Sequence, residues 1–125
     1  MNYTDKVKEL FLHPKNMGEI ADASGTAEVG NPVCGDVMKM DIKVDPKTQK
    51  ITDIKFKTFG CAAAIATSSM ITQLAKDKVI EDAQKIKAQD VWEALGGLPQ
   101  LKKHCGSLAV QALQAAIKDY LTKNK

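Results

Sequence analysis

Three cysteines, Cys34, Cys61 and Cys105, are the residues of this 125-residue chain whose types and setting most readily suggest chemistry. Each has a glycine beside it: Cys34-Gly35, Gly60-Cys61 and Cys105-Gly106. At an average glycine content, three such coincidences arise by chance on the order of once in five hundred sequences. Glycine next to a ligand lets backbone amides close on a bulky inorganic anion and supplies the φ > 0 geometry of an anion-binding nest. The plain alternative is three unrelated buried thiols, and the glycine pattern weighs against it. Thiolates gathered at one end of a domain make a soft-metal site, suited to iron–sulfur or to zinc. Either needs a fourth donor, and the candidates are Asp36, two residues after Cys34, and His104, immediately before Cys105. Lys102 and Lys103 could balance the anionic charge of such a centre or simply be solvated. A thiol hydrolase is a poorer fit, because a catalytic Cys–His pair meets across a fold with a third orienting group, and His104 is a chain neighbour of Cys105.

The elements that must position these residues are legible in outline. Val7, Leu10 and Phe11 fall at helical spacing within residues 3–12, and His13-Pro14 stops that helix. A first strand is expected around Thr26–Val29. Val37–Val44 alternates Met38, Met40, Ile42 and Val44 against Lys39, Asp41 and Lys43, and 51–59 repeats the scheme with Ile54 and Phe56 against Asp53, Lys55 and Lys57. Residues 45–50 are the hairpin loop between them. One sheet face is therefore apolar and needs a cover, while the other is Lys-rich and wet. The cover is helical. Cys61–Lys76 is Ala-rich, with Ala62, Ala66, Met70 and Leu74 along one side, and 80–86 reads as a short helix. Asp90-Val91-Trp92-Glu93 reads as a capping box with Asp90 as N-cap, and Gly96-Gly97 with Pro99 ends that helix. The last helix carries an apolar stripe of Leu108, Ala109, Ala112, Leu113, Ala116, Ile117, Tyr120 and Leu121. The expected fold is α+β, an antiparallel sheet of about three strands with helices packed on one face, in a single domain over 1–125. Residues 1–18 form an N-terminal segment that can be mobile. Cys34 then falls in the turn between the first two strands, Cys61 at a strand-to-helix junction and Cys105 at the opening of the last helix. The two helix N-termini favour thiolate over thiol.

Composition narrows the partners. Net charge is +3, and all eighteen positive residues are lysine. Arginine is the usual tool for reading guanine and gripping phosphate, and with 5% aromatics stacking platforms are scarce, so nucleic acid is not an expected partner. No run of about 18 apolar residues exists, so no membrane span is expected. Met1–Leu10 lacks the apolar stretch of a signal peptide. With an odd number of scattered cysteines, the expected setting is a reducing cytoplasm. No P-loop, dinucleotide fingerprint or nucleophile elbow is present.

The motifs Gly30-Asn31-Pro32-Val33-Cys34-Gly35-Asp36, Phe56-Lys57-Thr58-Phe59-Gly60-Cys61-Ala62-Ala63-Ala64-Ile65-Ala66 with Ser68-Ser69, and Lys103-His104-Cys105 before Leu108-Ala109 and Ala112 together resemble the iron–sulfur cluster assembly scaffold family of IscU and the NifU N-terminal domain. Tyr3-Thr4-Asp5-Lys6-Val7 and His13-Pro14-Lys15-Asn16-Met17-Gly18 resemble the same family's opening, so the likeness spans essentially the whole chain. It implies a non-enzymatic scaffold with the SufE/NifU-like fold. Such a scaffold takes persulfide sulfur from a cysteine desulfurase, collects iron, builds a transient [2Fe–2S] cluster with electrons from a donor such as a ferredoxin, and passes it to apo acceptor proteins. The family's three cysteine ligands fall on Cys34, Cys61 and Cys105, its labilising aspartate on Asp36, its persulfide acceptor on Cys105 and its alternative ligand on His104. Zinc can occupy such a site in the protein as isolated, and a homodimer is compatible with this reading.

The chain departs from the family pattern in one place. The segment a dedicated chaperone reads is typically Leu-Pro-Pro-Val-Lys, and here it is Leu98-Pro99-Gln100-Leu101-Lys102. The missing proline counts against chaperone-assisted transfer. The competing reading is a zinc-bound, SufU-like sulfur-transfer protein accepting persulfide on Cys105. The short 61–105 interval and the presence of His104 place the chain nearer IscU.

Overall fold

The computed structural model describes residues 3–31, 36–58 and 60–123, with only the backbone for Asn31, Asp36, Leu101 and His104. Alternation produces the sheet. Strands β1 (Gly25–Asn31), β2 (Asp36–Val44) and β3 (Ile51–Thr58) form an antiparallel meander in the order β1-β2-β3. Met38, Met40, Ile42 and Val44 all point into the core, as do Ile54 and Phe56. Asp53 pairs with Lys43 and Ile51 with Val44, which leaves Thr52 as the extra residue of a β-bulge. The bulge turns Ile51 onto the same face as Ile54, where simple alternation would have put it outside. Phe59, expected at the end of the third strand, lies outside the described residues.

The other face is less wet than its sequence implies. Asp41, expected with Lys39 and Lys43 on the wet face, is only 3% exposed. Its carboxylate accepts from the Ile20 amide at 3.0 Å and from the Thr26 hydroxyl at 2.6 Å, with Lys39 Nζ at 3.9 Å. The cause is the irregular stretch 19–24, which lies over this face as a strap. Glu19 pairs with Lys39 and Lys57, and Asp22 pairs with Lys43. Residues that alternation assigns to water are thus partly covered by chain with no period of its own.

Among the described residues, five helices complete the fold: α1 (Asp5–Leu12), α2 (Ala62–Ala75), α3 (Ile80–Ala83), α4 (Ala88–Ala94) and α5 (Lys103–Lys123), the last preceded by a 3-10 turn at Gln100–Lys102. Thr4 caps α1 by accepting from the Val7 amide, and its own hydroxyl donates to the Leu95 carbonyl. Val7 and Leu10 are core residues. Helix α2 packs against β3, α1, α4 and α5, and α5 packs against β1 and β2, so the helices lie over the apolar sheet face as expected.

Two helical stripes differ from the sequence expectation. In α2 the buried set is Ala63, Ala64, Ala66 to Thr72 and Ala75, while Ala62 and Leu74 are only partly buried. A helix enclosed on several sides has no single stripe, and small residues let its neighbours approach. In α5 the stripe holds except at Leu121, which is 42% exposed near the helix end. The capping box in α4 is displaced by one turn. Asp90 is not the N-cap but sits within the first turn, where its carboxylate accepts from the Lys87 amide at 2.8 Å. Lys87 has no side-chain acceptor to return the bond, so only half the motif exists.

Short segments close the sheet at β3. The Gly18 amide donates to the Phe56 carbonyl and the Phe56 amide to the Asn16 carbonyl, while Ile51 exchanges bonds with Asp77 and Lys78. At the opposite edge, the Thr26 amide of β1 donates to Asp119 of α5 at 2.9 Å. Gly25 is required there, since a Cβ would lie 2.2 Å from the Ala116 carbonyl oxygen.

Candidate metal centre

The sheet register brings the end of β1, the start of β2 and the end of β3 to one end of the sheet. Asn31 at the end of β1 pairs with Asp36 at the start of β2, and Met38 of β2 pairs with Thr58 at the end of β3. The Asn31–Asp36 pair therefore lies at the end of the sheet from which the chain passes to Cys61. Cys61 is the N-cap of α2, with extended backbone at φ −74° and ψ 178°, and its carbonyl accepts the first helical bond from Ile65. Its thiol is partly exposed and makes no cap bond to the helix.

Cys105 lies in the first turn of α5 and is fully buried. Two neighbours hold that turn. The Thr67 hydroxyl of α2 reaches the Cys105 carbonyl at 3.3 Å while donating more closely to Ala63. The Trp92 indole N–H of α4 donates to the Lys103 carbonyl at 3.1 Å. The start of α5 is thus fastened to α2 and to α4, and both thiols sit where unsatisfied amides favour negative charge.

Electrostatics ties the pair to two more residues. Tyr3 has its phenol pushed up from the ordinary value by burial first, then by the charges of Cys61 and Cys105, with Lys102 opposing. Lys102 holds its proton more tightly than usual, chiefly because of the Cys61 charge beside it, with Tyr3, Cys105 and a hydrogen bond to Cys61 adding to the effect. Four groups from three distant stretches of chain therefore share one polar locus: two thiols, a phenol and an ammonium.

The two lysines that sequence treats alike have different partners. Lys102 faces Cys61, whereas Lys103 sits 5.1 Å over the Trp92 ring centroid. The glycine argument changes too at one of its three positions. Gly106 is helical, and a Cβ there would fall 2.4 Å from Trp92 Nε1, so close packing explains this glycine rather than an anion nest. Cys34 and the side chains of Asp36 and His104 lie outside the described residues, although Asp36 starts β2 and His104 immediately precedes Cys105 in α5. Tyr3 and Trp92 carried no sequence signal for this locus, because neither is adjacent in the chain to a cysteine.

The family model described as the NifU-like N terminal domain matches residues 2–125. The chain belongs to the NifU-like N-terminal domain family. The chain is similar to an iron-sulfur cluster assembly scaffold protein IscU of Archaeoglobus fulgidus, 60% identical over 98% of this chain and 78% of that protein's length. The IscU scaffold protein of Aquifex aeolicus is 50% identical over 97% of this chain and 77% of its own. The nitrogen fixation protein NifU of Trichormus azollae is 45% identical over 95% of this chain, a match that covers 42% of that longer protein. The same fold occurs in a NifU-like N-terminal protein from Brucella abortus, at a TM-score of 0.74 and 16% identity over 96% of this chain and 94% of that one. It occurs also in a SUF-system scaffold protein from Fervidobacterium islandicum, at a TM-score of 0.75 and 22% identity over 92% and 96%. The three-stranded α+β architecture of the NifU-like domain is thus common to solved structures at low identity. Among the described residues, no helix is long and apolar enough to cross a membrane.

Proposed function

We propose that this domain is a scaffold, not an enzyme, on which a [2Fe–2S] cluster is assembled as cargo and then passed to apo acceptor proteins. The observation that carries the reading is the placing of Cys61 and Cys105 at the starts of α2 and α5, with the Thr67 hydroxyl of α2 reaching the Cys105 carbonyl. The names of the IscU relatives support it. Cys34, Cys61 and Cys105 supply the soft ligands, and Asp36 or His104 supplies a fourth. A hard carboxylate at that position weakens the cluster's hold, which a protein that must release its product requires.

Sulfur arrives as a persulfide on a cysteine desulfurase. The Cys105 thiolate attacks the outer sulfur, the donor's S–S bond breaks, a new S–S bond forms on Cys105, and the desulfurase thiolate leaves. Each transferred sulfur atom takes two electrons to become sulfide. For a cluster of two irons and two sulfides, two of the four electrons come from oxidation of ferrous to ferric iron. The other two come from an external donor such as a ferredoxin. The Lys102 ammonium sits where negative charge accumulates during these steps. The reducing conditions this chemistry needs fit a cytoplasmic setting.

The test is anaerobic reconstitution with iron, cysteine and a cysteine desulfurase, read by visible absorption and acid-labile sulfide. Charge-transfer bands with sulfide are expected, lost when Cys34, Cys61 or Cys105 becomes Ala, and longer-lived in Asp36→Ala. A colourless protein that holds stoichiometric zinc and accepts persulfide on Cys105 would overturn the scaffold reading in favour of sulfur transfer.

A further inference from the structure

Cys105 is fully buried, yet the proposed function requires it to meet a persulfide on another protein. The first turn of α5 must therefore open, and the structure shows what holds it shut. Trp92, the single tryptophan of the chain, lies against that turn in three ways. Its indole N–H donates to the Lys103 carbonyl, its ring occupies the space a Cβ on Gly106 would need, and the Lys103 ammonium lies over its face. All three contacts fall within three residues of Cys105. The ring also borders an open groove of about 460 Å³ lined by Gln89, Glu93, Gly96, Gly97, Leu98 and Lys103 itself, which leaves the indole space to move into.

We propose that Trp92 is a latch that keeps the first turn of α5 closed over Cys105, and that its release exposes this thiol. The inference rests on the reading of Cys105 as the sulfur acceptor, but the latch itself is a property of the protein without cargo. Trp92 is a positioning residue, since it touches the backbone around Cys105 and not the sulfur's reaction partner. Cys61 provides an internal reference, because it begins a different helix and none of the three latch contacts involves it.

The experiment is alkylation of the metal-free protein by iodoacetamide, with modified peptides quantified by mass spectrometry and the ratio of Cys105 to Cys61 rates taken for each variant. Trp92→Phe keeps an aromatic ring and loses the hydrogen bond, and it should raise the ratio about fivefold, the population shift one neutral hydrogen bond controls. Trp92→Ala loses the ring contacts as well and should raise it roughly tenfold or more. Gly106→Ala distinguishes a latch from ordinary helix stability. Alanine is the better helix former, so propensity alone would slow Cys105 labelling. On the latch model the added methyl displaces the indole and speeds it. An unchanged ratio across the variants, equal acceleration of both thiols, or slower Cys105 labelling in Gly106→Ala would each overturn the proposal. Reconstitution of the wild-type protein decides the scaffold reading separately, so either idea can fail without the other.

Discussion

Asp41 occupies a position that alternation gives to solvent, yet its carboxylate has exchanged water for the Ile20 amide and the Thr26 hydroxyl. A period of two tells which face a side chain takes, not what later lies across that face. Tyr3 illustrates the same limit at the candidate centre. It stands 58 positions before Cys61, and only the folded chain sets its phenol beside the two thiols. The cysteines themselves were legible because their residue type and glycine neighbours are unusual, whereas a tyrosine or a tryptophan has too many ordinary uses to stand out. Removing the Asp41 carboxylate leaves a backbone amide and a hydroxyl without their acceptor. Asp41→Ala should therefore lower unfolding stability by about 2 kcal/mol, and Asp41→Asn, which can accept from one and donate to the other, by less. Urea denaturation followed by circular dichroism measures both, and an alanine variant as stable as wild type would show that water replaces the carboxylate.

At the level of elements, β2, β3 and α5 were readable because each presents one apolar side to one neighbour. Helix α2 was harder, since it is enclosed by α1, α4, α5 and β3 and buries Thr67, Ser68, Ser69 and Thr72 along with its alanines. Those hydroxyls are satisfied by the Ala63, Met38, Lys15 and Ser69 groups they reach, so polarity in the sequence concealed burial in the fold. The 19–24 strap had no signal at all beyond the charges of Glu19 and Asp22. Those charges make it sensitive to acid. The Glu19 carboxyl is held below its ordinary 4.5 by hydrogen bonds to Lys39 and Lys57, and the Asp22 carboxyl below its ordinary 3.8 by Lys43. As pH falls through those ordinary values the unfolded chain takes up protons before the folded one does. This stabilising contribution is full above them and is lost as pH drops through the lowered folded values. The urea midpoint of wild type should accordingly fall more steeply from pH 5 to pH 3 than that of Glu19→Gln, and 0.5 M salt should shrink the difference because these pairs are solvent-exposed. Parallel pH profiles for the two proteins would remove the strap from the account.

For the whole molecule, the α+β architecture and its single layer of helices followed from patterning, and the order of the motifs along the chain pointed to the family. What patterning could not supply was the way three remote stretches converge on the start of α5. A ligand bound by thiolates of the native state and absent from the unfolded chain adds to global stability. Loading the domain with zinc or with its cluster at a hundredfold excess over Kd should add about 2.7 kcal/mol and raise Tm by roughly 10 °C. Calorimetry of the loaded and stripped forms reads this directly, and an unchanged Tm would mean that the thiols do not act together on one ion.

The long-range fastening of the fold also constrains its birth. Thr26 is tied to Asp119 across 93 positions, and Thr4 to Leu95 across 91. A ribosome delivers the β1–β3 meander, with Met38, Met40 and Ile42 on one side, well before it delivers the α5 residues that cover them. Throughout that interval the nascent chain carries a sheet with one greasy side bare. Its exposure to aggregation is therefore set by the speed of translation through residues 59–123, whatever the stability of the finished domain.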